Sequence, residues 1–384
     1  MKVLIIPSWY STEEKPLAGI FFKEHAEALV RYGHEAAILY IDIRRGVTKT
    51  SRGITVSTVN GVKEFRYSNL NFTPKFAYGV NWQRHMRSKK MFDLIEKTFG
   101  KPDIIHLESC EAADVARKAR EKWNIPVVYT EHLSLVLNAR AGYYEKMFKK
   151  AIVLADACVA ISSVFQNKIM QYRNSEIYRI PNGIDTKSFV QSVPGKVFTI
   201  KALGSLRLIK GYDVLIRAFD EFARGKNNVK LVIGGDGTER EHLEQIVKSM
   251  CCRNNIFLIG NVAREAVPHF YENCSVFVCS SKTETFSIVT IEALCSGVPV
   301  VATKCGGPED MIDSSNGILV EVDDVNQLAA ALETVYNKFD SYNREKIREA
   351  AGNKFDYKKI VQQHEDLYER VKNGYLGKKR VQVE

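Results

Sequence analysis

The sequence predicts an α/β protein built from two doubly wound, mainly parallel sheets, and three observations carry that expectation. Short apolar runs alternate with longer amphipathic stretches along almost the whole chain. The runs are β-branched and continuous rather than alternating, as strands covered on both faces require. The pattern pauses at Pro181, Asn182 and Gly183, pauses again at Ser192, Val193, Pro194 and Gly195, and then restarts. The 384 residues thus divide into two similar halves, in line with about 150 residues per domain.

In chain order, Val3 to Ile6 reads as a buried strand and Ile20 to Tyr32 as a helix with Phe21, Phe22, His25, Ala28 and Leu29 near one face. Strands follow at Ala36 to Ile41, Asp103 to Leu107, Pro126 to Tyr129, Ala157 to Ile161 and Ile177 to Ile180, separated by helical patterns such as Glu111 to Lys122. Arg44 to Gly79 fits poorly and suggests an extra hairpin or an insertion. After the break, Val197 to Leu203, Val229 to Ile233, Ile256 to Ile259, Val276 to Cys279 and Val298 to Ala302 repeat the strand pattern. The expected domains are 1–192 and 193–355, followed by a helix over 356–372 that packs back on the first domain and a basic tail over 373–384.

The formal net charge is +10, from 55 Lys and Arg against 45 Asp and Glu. Residues 1–192 carry 29 and 19 of these, which leaves 26 of each beyond, so the whole excess lies in the first half. One half therefore suits an acidic partner: a nucleic acid, an anionic membrane surface or a phosphorylated substrate. The opening apolar run is too short for a signal peptide, and no stretch reaches the roughly 18 to 20 apolar residues of a membrane span. The eight cysteines mostly sit in apolar runs and form no Cys-x-x-Cys pair, as expected of buried free thiols in a reducing cytosol.

The densest chemical signal runs from Val276 to Ile312. Glu284 precedes a helix expected over Phe286 to Ser296, and Glu292 lies on it. The free amides of Ser287, Ile288 and Val289 would face the loop and suit a phosphate, and the two carboxylates would suit sugar hydroxyls. A second signal follows the first strand of the second half. There Gly204 to Gly211 carries Arg207, a planar fork, and Lys210, a point charge, at the carboxyl end of a strand where ligands of open sheets bind. Gly234, Gly235, Asp236 and Gly237 also follow a strand but lack the full dinucleotide fingerprint. In the first half, Gly19 opens a helix after Pro16, Leu17 and Ala18, and His132 closes a strand after Thr130 and Glu131. His106 reads as structural.

Taken in order, these segments resemble the family-4 retaining glycosyltransferases, whose GT-B architecture has two Rossmann-like domains facing a central cleft. The carriers are the Glu284 to Glu292 spacing, Ala293 to Thr303, Cys305 to Glu309, Ile180 to Asp185, Gly204 to Gly211 and Gly234 to Gly237. The resemblance implies a nucleotide-sugar donor on the second half, with a UDP-sugar favoured and GDP-mannose an alternative, and a glycan or lipid-diphosphate-linked acceptor on the first. It implies that Arg207 and Lys210 hold the diphosphate, that Glu292 takes the ribose hydroxyls and that Glu284 binds the transferred sugar. Amides from Phe286 to Val289 would line the sugar and phosphates. Gly19 and His132 would close the other side of the donor, and backbone near Val262 would meet the base. Catalytic roles fall on Glu284, His132, Arg207 and Lys210. Such enzymes need no metal and no other cofactor, which fits the lack of an Asp-x-Asp motif. Thr285, Ser287 and Ala18 stand where relatives often have glycine, so the sugar pocket is expected to differ. Trp9, Tyr10 and Pro16 to Phe21 resemble the branch that builds bacterial surface polysaccharides.

The alternatives are a GT-B nucleotide-sugar epimerase or phosphorylase, and a non-enzymatic nucleic-acid binder supported by charge alone. The preferred reading places the protein in the cytoplasm with no nucleic-acid partner, with the first domain docking on the inner membrane face. Arg84, Arg87, Lys89, Lys90, Lys97 and Lys101 against Asp93 and Glu96, beside Met91, Leu94, Ile95 and Phe99, suggest a basic amphipathic helix over 84–101. The alternative for that stripe is core packing.

Overall fold

The computed structural model describes residues 1–12, 15, 18–44, 52–70, 77–137 and 141–381. Pro16 and Leu17 lie outside the described residues. The chain forms two compact units: residues 1–182 with 357–384, and residues 183–356.

The first unit contains β1 (Lys2–Pro7), α1 (Ile20–Arg31), β2 (Glu35–Arg44), β3 (Gly53–Val59), β4 (Val62–Leu70), α2 (Ala77–Thr98), β5 (Ile104–Glu108), α3 (Ala113–Trp123), β6 (Val127–Glu131), α4 (Tyr143–Leu154), β7 (Ala157–Ala160), α5 (Ser163–Met170) and β8 (Ile177–Arg179). Its sheet order is β3-β4-β2-β1-β5-β6-β7-β8, parallel throughout except for β3 against β4. The poorly fitting segment holds the β3–β4 hairpin, closed by Asn60 and Gly61 at φ 49° and 82°. That left-handed pair matches the twist of the strands it joins. The strands are buried end to end because helices cover both faces: β5, β6 and β7 contain no exposed residue.

The second unit contains β9 (Phe198–Leu203), α6 (Tyr212–Ala223), β10 (Val229–Gly234), α7 (Arg240–Ser249), β11 (Ile256–Gly260), α8 (Val267–Phe270), β12 (Val276–Cys279), α9 (Ile288–Cys295), β13 (Val300–Thr303), β14 (Gly317–Val320), α10 (Val325–Asn337) and α11 (Arg344–Phe355). Its order is β11-β10-β9-β12-β13-β14, all parallel. Leu215, Phe219, Leu231, Ile233, Leu328 and Leu332 form the centre of its core.

The last helix, α12, spans Tyr357–Val381 and returns to the first unit, where Tyr357, Ile360, Val361, Leu367 and Tyr368 join the core of β1, β2 and α1.

Two boundaries and the face of one helix differ from the expectation. The chain divides at Asn182, not at residue 193. Residues 183–192 belong to the second unit because Ile184 N donates to Phe355 O and Ser192 N to Ser296 O, at 2.9 and 2.8 Å. The tail expected to fray after residue 372 continues as helix to Val381, and Lys372 is held 2.7 Å from Asp103. On α2, the stripe of Met91, Ile95 and Phe99 is buried at 0, 0 and 7 % exposure. It packs into the core and is not available to a membrane. Among the described residues, the exposed large apolar side chains of this helix are Trp82 and Met86, one turn apart.

Candidate functional site

In the second sheet, chain order reverses between β9 and β12, which makes the carboxyl ends of these strands the switch point where open α/β sheets take ligands. The loops leaving both strands carry the residues singled out from sequence. After β9, Gly204 N donates to Gly234 O at 3.0 Å and Leu206 N to Asp236 O at 2.9 Å, which ties this loop to the glycine-rich turn after β10. Gly211 opens α6 at φ 61°, and a Cβ there would stand 2.2 Å from Ser280 O, so only glycine lets the two loops approach.

That approach places Lys210 Nζ 2.6 Å from a Glu284 carboxylate oxygen. Burial disfavours the ammonium, but the Glu284 charge outweighs it and holds the Lys210 pKa above the ordinary lysine value. Ser281 Oγ also donates to Glu284, at 3.3 Å. The Glu284 backbone is clamped from both sides: its N–H donates to Cys305 O and its carbonyl accepts from Gly307 N, each at 2.8 Å. Arg207 is exposed beside this pair in sequence, with no side-chain partner among the described residues.

The helix behind the loop starts later than expected. Phe286 is buried against Phe355 rather than helical, and Ser287 adopts φ 81°, ψ 75° as the residue preceding α9. Ile288 and Val289 are therefore the first helical residues, the positions whose amides lack intrahelical acceptors. Ser287 Oγ lies 2.8 Å from Thr290 Oγ1.

Glu292 is 1 % exposed. Arg264 NH1 donates to one of its oxygens at 2.6 Å, and Tyr271 OH to the other at 3.0 Å. The structure thus brings Lys210 and Glu284 together and gives Glu292 a separate set of contacts. Val262 packs on the glycine turn, its Cγ2 2.9 Å from where a Cβ on Gly234 would stand.

Sequence reasoning missed Arg264 and Tyr271, because neither belongs to a short motif. It also missed the thiol pair beneath the site. Cys279, at the end of β12, interacts with the Cys305 thiol, and that interaction draws the Cys279 pKa down and pushes that of Cys305 up.

The first unit has its own switch point between β1 and β5. Gly19 precedes α1 at φ 66°, where a Cβ would meet Trp9 O at 2.9 Å. His132 follows β6, with its ring against Phe21 and Phe22 at centroid distances of 5.0 and 5.1 Å. Its Nε2 lies 2.8 Å from Glu108 Oε2. His25, His106 and His364 converge behind Glu108, with nitrogen atoms within 4.8 Å of one another. Both nitrogens of His106 are engaged, with Tyr368 OH at 2.6 Å and Thr130 Oγ1 at 2.7 Å. His364 Nδ1 lies 3.0 Å from Ile360 O. His106 is thus hydrogen-bonded through both ring nitrogens, as a structural residue would be, while His25 Nε2 has no hydrogen-bond partner among the described residues.

Comparison with known proteins agrees with this arrangement. Residues 183–354 match the family model described as glycosyl transferases group 1, and residues 18–188 match glycosyltransferase family 4. An uncharacterized glycosyltransferase of Methanocaldococcus jannaschii is 24% identical over 402 residues, covering 96% of this chain and 98% of its own. A phosphatidylinositol N-acetylglucosaminyltransferase subunit of Arabidopsis thaliana is 25% identical over 64% of this chain, a match spanning 56% of that relative's length. Among solved structures, Anabaena HepE in complex with UDP superposes with a TM-score of 0.73 at 19% identity, covering 96% of this chain and 100% of that one. The lipopolysaccharide outer core galactosyltransferase WaaB, in its apo form, superposes with a TM-score of 0.69 at 19% identity, covering 99% and 100%. At these identities the structural likeness is one of fold. With both family models matched in succession and the GT-B fold shared with these structures, the chain belongs to the family-4 glycosyltransferases.

Proposed function

We propose that this glycosyltransferase moves a hexose-type sugar from a nucleotide-sugar, with a UDP-sugar favoured, to a glycan or lipid-linked acceptor, with retention of configuration and without a metal. The observation that carries this reading is the Lys210–Glu284 pair at the switch point of the second sheet. A donor diphosphate needs fixed cations where charge develops on the departing nucleotide. Lys210 supplies one and the exposed guanidinium of Arg207 a second, with the first amides of α9 as neutral donors. Glu284, freed from Lys210 as the phosphates take over the ammonium, accepts from hydroxyls of the sugar. Glu292 serves the ribose: its carboxylate offers about four lone-pair sites and is held in place by Arg264 and Tyr271.

HepE, crystallised with UDP, supports the choice of nucleotide, and WaaB, a lipopolysaccharide galactosyltransferase, supports surface polysaccharide as the pathway. A lipid-linked acceptor would bring the basic side of α2, with Trp82 and Met86, to an anionic membrane. Among the described residues no helix is long and apolar enough to cross one. The test is a thermal-shift panel of UDP, GDP, ADP and their sugars, with and without chelator. A nucleotide at 100 times its Kd stabilises the fold by about 2.7 kcal/mol. No shift with any of them sinks the proposal, loss of the shift on chelation sinks its metal-free part, and donor turnover without acceptor favours the epimerase or phosphorylase instead.

A further inference from the structure

Glu108 ends β5 and is 2 % exposed. Its Oε2 lies 2.8 Å from His132 Nε2, while its Oε1 faces His25 Nδ1 at 3.5 Å and His106 Nε2 at 3.6 Å. Burial alone would drive this carboxyl to its neutral form. The surrounding imidazoles of His106, His132 and His25 outweigh burial and hold its pKa well below the ordinary carboxylate range. An ionised carboxylate has no proton to donate, so in the 2.8 Å contact the hydrogen belongs to His132 Nε2.

The rest of His132 is equally constrained. Its backbone N–H donates to Glu131 Oε1 at 2.8 Å and to Ser109 Oγ at 3.1 Å. Phe21 and Phe22 fix the plane of the ring. Its Nδ1 is buried and has no hydrogen-bond partner among the described residues. With the hydrogen on Nε2, Nδ1 of the neutral ring is an acceptor. A buried acceptor with nothing to accept from is uncommon enough to call for a ligand group or an ordered water.

We propose that Glu108 is the positioning residue of His132, holding its imidazole as the Nε2–H tautomer so that Nδ1 accepts a hydrogen bond from a sugar hydroxyl. Glu108 is also faced by His25 from α1 and His106 from β5, and its charge is felt at His364 and Tyr368 on α12. No described residue hydrogen-bonds Nδ1, so among the described residues the contact that sets the tautomer is the one with Glu108. The role in sugar binding rests on the transferase reading above; the tautomer does not.

The first arm of the test is therefore spectroscopic. The 15N shifts of the His132 ring in the full-length protein, assigned with His132→Asn, should show a protonated Nε2 and a bare Nδ1. A protonated Nδ1 in the neutral ring overturns the proposal, whatever the enzyme's activity. The second arm is kinetic. Glu108→Gln should lower kcat by about 10- to 100-fold, the scale of a lost charge-assisted hydrogen bond, with thermal shifts by UDP unchanged. Glu108→Asp should recover part of the loss, and Glu108→Gln should cost nothing further in a His132→Asn background. Full activity of a folded Glu108→Gln, or additive losses in the double variant, also overturns it. If the wild type transfers no sugar from any donor, the transferase reading fails while the 15N result still decides the tautomer.

Discussion

Lys210, from the loop after β9, places its ammonium nitrogen 2.6 Å from a carboxylate oxygen of Glu284, in the loop after β12. Both side chains are mostly buried, at 25 and 15 % exposure, so the pair is less screened by salt than a surface ion pair. A diphosphate and Glu284 would compete for the same cation. Lys210→Ala should therefore lower transfer by about 100-fold or more and shrink the stabilisation by UDP. An unchanged rate, or an unchanged UDP shift, would remove Lys210 from the site.

Glu292 and Glu284 should separate in their effects. Glu292 is 1 % exposed and holds both Arg264 and Tyr271, so Glu292→Gln should cost about 1–3 kcal/mol of folding stability as well as donor affinity. Glu284→Gln should abolish most transfer with a smaller effect on unfolding. Urea melts of the two purified variants check this, and equal midpoints would refute the distinction.

Stability should fall on mild acidification. Burial holds the pKa of His106 down to about 4 and that of His364 well below the usual histidine value. Between the unfolded value near 6.5 and the folded value, the unfolded chain binds more protons, so each such histidine destabilises the fold as pH drops through that window. For His106 the effect reaches about 2 kcal/mol by pH 5 and about 3 kcal/mol below pH 4. Denaturant melts at pH 7.5 and pH 5 measure the first of these, and His106→Gln should flatten the difference. A midpoint that does not move with pH contradicts the account.

Membrane docking makes a separate prediction. Binding to vesicles should rise with anionic lipid content and fall with salt, and Trp82→Ser with Lys89→Glu and Lys90→Glu should abolish it. Binding that ignores lipid charge would refute it.

Sequence patterning exposes the sheets because strands buried on both faces must be largely apolar, as Val3–Ile6 and Val276–Cys279 are. It also marks Lys210 and Glu284, since their loops carry residue types with a direct chemical reading. It cannot pair Glu292 with Arg264 or Glu108 with His132: those partners come from different elements, and only the folded register brings them together. The start of α9 differs from the pattern because Ser287 takes a left-handed conformation that serine rarely adopts. The apolar stripe of α2 is ambiguous in sequence because a core-facing and a membrane-facing helix have the same periodicity, and burial alone decides between them.

The return of α12 to the first unit has a consequence for biosynthesis. A ribosome delivers all of the strands β1 to β8 long before Tyr357 to Tyr368, which fill the surface over β1, β2 and α1, and before Tyr368 can meet His106. The second unit, continuous over 183–356, can close on itself while the first waits with an uncovered apolar face and buried-to-be histidines still wet. Completion of the first unit should therefore wait on α12, and arresting translation before residue 357 should leave the earlier half protease-sensitive and chaperone-bound.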